Sequence, residues 1–137
     1  MGMPKEKAHY SILVIDDDAF LLDMYALKFT QQEFDVTSAS GTLLALEKLR
    51  SGFAPDIVLV DLVMPAMDGF EFLAQVKEEG LVPNALIIIL SNLGQQEDID
   101  RGLSLGAAGY IIKASATPSE VVEKVLETIE KKRKAKN

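Results

Sequence analysis

Apolar side chains along the chain fall into short continuous runs that alternate with longer stretches in which they recur every three or four positions. Tyr10-Ser11-Ile12-Leu13-Val14-Ile15 is rich in β-branched and aromatic residues and predicts a first strand. A helical pattern follows, carried by Phe20, Leu21, Met24, Leu27 and Phe29. Residues 34–39 predict a shorter, half-polar second strand, and Leu43, Leu44, Leu46 and Leu49 a second helix that stops at Ser51-Gly52. Ile57-Val58-Leu59-Val60 predicts a third strand, and Phe70, Leu73 and Val76 a third helix closed by Gly80. Residues 85–90 predict a fourth strand, 96–105 a weaker helix containing Gly102, and Tyr110-Ile111-Ile112 a fifth strand. The last helix is announced by Thr117 as N-cap, Pro118 at the first helical position and Glu120 completing a capping box. Val121, Val122, Val125, Leu126 and Ile129 then form its apolar stripe.

Five strand-then-helix units predict an α/β fold: a doubly wound, five-stranded parallel sheet with helices on both faces, since parallel neighbours require crossovers of fixed hand. Strands one, three and four are continuously apolar, which suits burial on both faces; the polar second strand belongs near an edge.

At 137 residues the chain is one domain's worth, and 48% hydrophobic against 26% charged residues leaves enough apolar mass for a core. The predicted organisation is a flexible extension over residues 1–8, one domain over 9–130 and a basic tail over 131–137. That tail holds Lys131, Lys132, Arg133, Lys134 and Lys136, and reads as a solvated helix end whose cations suit the helix dipole. The formal charge of -7 argues against direct binding to nucleic acid or an anionic membrane and favours a cation or a basic partner. With no cysteine, disulfide scaffolds, thiolate zinc sites, iron–sulfur clusters and thiol catalysis are excluded. The longest apolar run, residues 85–90, is too short for a membrane helix, and the start lacks a signal-peptide core; a cytoplasmic location is expected.

Doubly wound sheets place their sites at the carboxyl ends of the strands. There the chain sets Asp16, Asp17 and Asp18 after strand one, Asp61 after strand three, Ser91 and Asn92 after strand four and Lys113 after strand five. Two carboxylates about 4 Å apart repel by about 4 kcal/mol at an effective dielectric near 20, so Asp16, Asp17 and Asp61 together call for a hard divalent cation. An oxygen-only set with few carboxylates suits Mg²⁺, the common partner of phosphate chemistry. Lys113 and Ser91 could then hold phosphoryl oxygens while one carboxylate attacks phosphorus, forming an aspartyl phosphate.

Four segments at these strand ends carry a resemblance: Ile12-Leu13-Val14-Ile15-Asp16-Asp17-Asp18; Asp61-Leu62-Val63-Met64-Pro65-Ala66-Met67-Asp68-Gly69-Phe70-Glu71; Ser91; and Gly106-Ala107-Ala108-Gly109-Tyr110-Ile111-Ile112-Lys113. Over nearly its whole length the chain resembles the response-regulator receiver domains of two-component signalling, of the stand-alone, chemotaxis-regulator-like kind. The resemblance implies a flavodoxin-like strand order 2-1-3-4-5. It implies Asp61 as phospho-acceptor, Asp16 and Asp17 as the acidic metal-binding pair, and the Val63 carbonyl as a further metal ligand. Ser91 and Lys113 become phosphoryl contacts, and Tyr110 the aromatic that moves with Ser91. Simpler roles remain for others: Asp18 as the cap of the first helix, Asp68 and Glu71 as cap and first-turn acid of the third. His9, the only histidine, precedes the first strand, which disfavours a histidine kinase or phosphotransfer protein.

Two departures stand out. The family usually carries proline after the lysine; here Ala114 follows, and since a cis bond before a non-proline residue costs ~3 kcal/mol, a trans bond and a differently shaped loop over 114–117 are expected. Asn92 stands where a small residue is usual, and with Val63 it is expected to restrict the hydrolytic water.

The function implied is that of a receiver, not an enzyme acting on a separate substrate. It takes phosphate from a sensor histidine kinase or histidine phosphotransfer protein, and self-catalyses its phosphorylation and dephosphorylation. It then switches a downstream protein target through the face of the fourth helix, fifth strand and last helix, with phosphorylation-dependent homodimerisation also open. No output module follows the last helix, hence the expectation of a stand-alone protein. Two rivals remain: a metal-dependent phosphohydrolase, which would want a second acid two residues after the nucleophile where Val63 stands, and a phosphate-independent scaffold.

Overall fold

The computed structural model describes residues 9–135. The extension expected over 1–8, and the last two residues of the basic tail, lie outside the described residues. The elements are β1 (Ser11–Ile15), α1 (Ala19–Gln31), β2 (Asp35–Ala39), α2 (Thr42–Arg50), β3 (Ile57–Val60), α3 (Gly69–Glu79), β4 (Leu86–Ser91), α4 (Gln96–Ser104), β5 (Gly109–Ile112), a 3₁₀ turn η1 (Lys113–Ser115) and α5 (Pro118–Ala135). All strands pair in parallel in the order β2-β1-β3-β4-β5, the doubly wound arrangement, and the polar β2 is an edge strand.

Alternation along the strands builds two cores. Leu13, Ile15, Val58, Val60 and Ile89 face α2 and α3; Ile12, Val14, Leu59, Ile88 and Leu90 face α1 and α5. Helix starts follow their caps. Asp18 accepts from the Leu21 amide at 3.1 Å, Asp68 and Glu71 form a capping box on α3, and Thr117 and Glu120 form one on α5. Gly80 ends α3 with φ of 62°, the left-handed region where glycine has no Cβ clash.

Three apolar stripes differ from the sequence reading; in α5 Val121, Val122, Val125 and Ile129 are buried, but Leu126 is 37% exposed. In α1 the buried residues are Leu22, Tyr25 and Phe29, whereas Phe20 and Leu27 are 72% and 52% exposed. In α2 Leu46 and Leu49 are buried with Thr42 and Ala45, while Leu43 and Leu44 face solvent. Helices α1 and α2 carry more leucine and phenylalanine than one face accommodates, so periodicity allowed two overlapping stripes and packing on the sheet selected one.

Strand register determines which side chains meet at the carboxyl rim. Ile15 pairs with Val60, so Asp16 and Asp61 leave the sheet side by side, and the Asp61 amide donates to the Ile15 carbonyl at 3.1 Å. Ser91 pairs with Ile112, the residue before Lys113.

Candidate functional site

Asp16, Asp17, Asp61, Ser91 and Lys113 sit at the carboxyl ends of neighbouring strands, and three of them, Asp16, Asp61 and Ser91, are the only charged or polar side chains besides Thr42 buried among the described residues. Asp16, Asp17 and Asp61 each bring a carboxylate oxygen within 4.8 Å of the others. Lys113 Nζ lies 2.8 Å from Asp16 Oδ2 and 2.8 Å from Asp61 Oδ2. One ammonium thus bridges two of the three acids.

The carboxylates are held differently. Asp61 Oδ1 accepts from the Leu62 amide at 2.7 Å and the Val63 amide at 3.4 Å, while Oδ2 accepts from Lys113. Asp16 Oδ1 accepts from the Asp18 amide at 2.9 Å. Its Oδ2 is buried beside the Lys113 charge yet receives no hydrogen bond of good geometry. Burial pushes the Asp16 carboxyl above its ordinary value, against the opposing pull of Lys113 and the Asp18 amide. Burial works against the Lys113 charge, but its contacts with Asp16 and Asp61 outweigh it and hold the ammonium firmly protonated, well above the usual lysine range. Burial likewise raises the hydroxyl of Tyr25, with the acids Asp16 and Asp61 adding to the shift.

A buried carboxylate oxygen with an ion pair but no well-directed hydrogen bond, flanked by an exposed acid and a second buried one, is what a hard cation would satisfy. The donor set is all oxygen, so the residues present fit Mg²⁺.

Ser91 is fully buried, and its Oγ accepts from the Leu93 amide at 3.3 Å. Tyr110 is half-buried and its hydroxyl donates to the Leu93 carbonyl, so one backbone residue partners both groups that the resemblance links. Val63 is 59% exposed on the loop after β3. His9 is exposed, with Nδ1 2.7 Å from the Glu33 carbonyl, outside this cluster. Among the described residues there is no cis peptide bond; Lys113–Ala114 is trans and opens the η1 turn.

Three supporting roles escaped the sequence reading. A Cβ on Gly69 would lie 2.4 Å from the Asp61 carbonyl oxygen and 2.7 Å from Leu62 Cα, so only glycine lets α3 start this close to Asp61. Buried Thr42, at the start of α2, donates to the Met67 carbonyl at 2.5 Å and ties down the loop after β3. Asn92, exposed, accepts from the Ala114 amide at 2.8 Å. For Gly69 the Asp68-Gly69 pair was a signal of a turn; Thr42 and Asn92 act through space on residues far away in sequence.

Comparison with known proteins agrees with this geometry. The profile of the response regulator receiver domain family matches residues 12–126. A chemotaxis protein CheY of Listeria monocytogenes is 33% identical over 120 residues, covering 88% of this chain and 95% of that protein. A protein-glutamate methylesterase/protein-glutamine glutaminase of Syntrophomonas wolfei is 35% identical over 136 residues, 96% of this chain but 36% of its own length. The crystal structure of a CheY-like receiver domain protein from Methanospirillum hungatei superposes with a TM-score of 0.80 at 28% identity, covering 92% of this chain and 98% of that one.

Proposed function

Because the chain belongs to the response-regulator receiver domain family, we propose that it is a phospho-acceptor that takes a phosphoryl group on Asp61 from a partner's phosphohistidine and thereby changes which protein it binds. The observation that carries the reading is Lys113 Nζ at 2.8 Å from both Asp16 Oδ2 and Asp61 Oδ2, beside a third carboxylate. A lone structural ion pair would not need three acids at one rim.

Asp16, Asp17 and Asp61, with the Val63 carbonyl, would hold Mg²⁺, which when bound offsets the negative charge of the acids and of the phosphoryl oxygens. An Asp61 carboxylate oxygen attacks phosphorus, the phosphorus–nitrogen bond of the donor breaks, and the imidazole leaves with that electron pair. The Lys113 ammonium donates hydrogen bonds to a phosphoryl oxygen, and the Ser91 hydroxyl donates to another. When Lys113 turns toward phosphate, the pairing of Asp61 with Lys113 is exchanged for a pairing of phosphate with Lys113. Ser91, drawn to the phosphoryl group, gives up its bond from Leu93, to which the Tyr110 hydroxyl is also tied. Phosphate is thereby read out on α4, β5 and α5, where the target protein binds and a second copy could pair. Hydrolysis of the acyl phosphate, accelerated by the same pocket, resets the state. A cytoplasmic setting is part of this proposal; among the described residues no helix is long and apolar enough to cross a membrane.

The test is incubation with acetyl phosphate and Mg²⁺, read by mass spectrometry. The expected result is one phosphoryl group on the peptide containing Asp61, absent with EDTA and absent in Asp61→Asn. Label in Asp61→Asn at the wild-type level would overturn the reading, and rapid turnover of simple phosphate esters would favour the phosphohydrolase instead.

A further inference from the structure

The loop after β4 is fastened to the end of β5 at two points. The Tyr110 hydroxyl donates to the Leu93 carbonyl, and the Ala114 amide donates to Asn92 Oδ1 at 2.8 Å. Asn92 follows Ser91 directly and Ala114 follows Lys113 directly. The second bond therefore joins the residue next to the buried hydroxyl with the residue next to the ammonium. Ala114 also sits inside η1, whose closing bond runs from the Ala116 amide to the Lys113 carbonyl at 3.3 Å, so fixing the Ala114 amide fixes the orientation of the peptide that Lys113 begins.

From this juxtaposition we infer that Asn92 is a positioning residue: its side-chain carbonyl holds the Lys113 turn to the Ser91 strand end, so that hydroxyl and ammonium reach one phosphoryl group as a pair. The inference rests on the phospho-acceptor reading above. Both groups must meet oxygens of the same phosphorus, and displacement by about 1 Å at such a site costs up to about a hundredfold in rate. Asn92 is exposed and spends its oxygen on the Ala114 amide, so it acts through Lys113 without touching the phosphoryl group. The donor exists because residue 114 is alanine; a proline there would have no N–H to give.

The test compares the full chain with Asn92→Ala, Asn92→Asp and Ala114→Pro. Amide hydrogen exchange at Ala114 is expected to rise about tenfold in Asn92→Ala and to stay near the wild-type rate in Asn92→Asp, which keeps the acceptor. Labelling by acetyl phosphate at saturating Mg²⁺ is expected to slow about tenfold in Asn92→Ala, while the Mg²⁺ concentration for half-maximal labelling stays within about twofold. Adding Asn92→Ala to Ala114→Pro, which has already lost the donor, is expected to slow labelling no further. Unchanged exchange at Ala114 in Asn92→Ala would overturn the inference whether or not the chain accepts phosphate. So would additive slowing in the double variant, or undiminished labelling in the single one. A wild-type chain that takes no phosphate would instead count against the phospho-acceptor reading, with the exchange comparison still deciding the role of Asn92.

Discussion

Two ion-paired clusters in this molecule share their chemistry and differ in setting. Between α2 and α3, Arg50 makes a two-pronged pair with Glu79, and Gln75 adds a third bond, all on the surface. At the strand tips one lysine faces Asp16 and Asp61 with Asp17 alongside, and the Lys113 side chain is only 11% exposed. In the first cluster every charge is matched and water screens what is left. In the second the acids outnumber the base and one carboxylate oxygen has no hydrogen bond. A fold selected for stability alone would not bury a surplus of negative charge at the ends of two adjacent central strands, β1 and β3. The surface pair closes on itself, whereas the buried cluster keeps an excess of acid that a cation would satisfy.

That contrast is broken or sharpened by substitution, starting with the largest effect. Asp61→Asn removes the acceptor oxygen and is expected to abolish phosphoryl labelling altogether while the chain still folds. Lys113→Met keeps the aliphatic stem but leaves Asp16 and Asp61 facing each other, which is expected to lower the unfolding free energy by about 3 kcal/mol at pH 7 in denaturant titrations. This loss depends on pH in a fixed direction. Lys113 is raised in the folded chain, so its contribution is fully present below the ordinary 10.5 and is lost as pH rises through the higher folded value. Asp16 is also raised, above its ordinary 3.8, so acid removes its buried charge and the gap between Lys113→Met and wild type narrows as pH falls through that raised value toward 3.8. A gap that stayed constant from pH 3 to pH 11 would show that the cluster's charges do not set it.

The smallest effect belongs to the surface. The Arg50 guanidinium, with help from Gln75, holds the Glu79 carboxyl down at about 2, against an ordinary 4.5. Any stability from the pair is therefore present above about pH 4.5 and lost as pH falls toward 2. Because the pair is exposed, Glu79→Gln is expected to leave the thermal midpoint at pH 7 within the scatter of replicate melts and labelling unchanged. A drop as large as that of Lys113→Met would erase the distinction between the clusters.

The same contrast separates what was legible in the sequence from what was not. Asp16, Asp61, Ser91 and Lys113 could be read because each directly follows or ends an apolar strand, and the parallel order brings strand ends together whatever the loops do. The capping residues Asp18, Asp68 and Thr117 were legible because a cap acts on amides three residues away. Phe20 and Leu27 were misread because an over-apolar helix offers two faces, and only the seat of α1 on the sheet beside α5 picks Leu22, Tyr25 and Phe29. The roles of Thr42 and Asn92 were opaque for a different reason: their partners Met67 and Ala114 are set by loop paths that no local pattern encodes.

The surplus of negative charge at the strand tips is tested most directly by calorimetric titration of Mg²⁺ into the wild type and into Asp17→Asn. Asp17 is exposed, so its replacement leaves the packing intact. One binding site in the wild type that disappears or weakens at least tenfold in Asp17→Asn is the expected result; superimposable isotherms, or no heat from either protein, would contradict it.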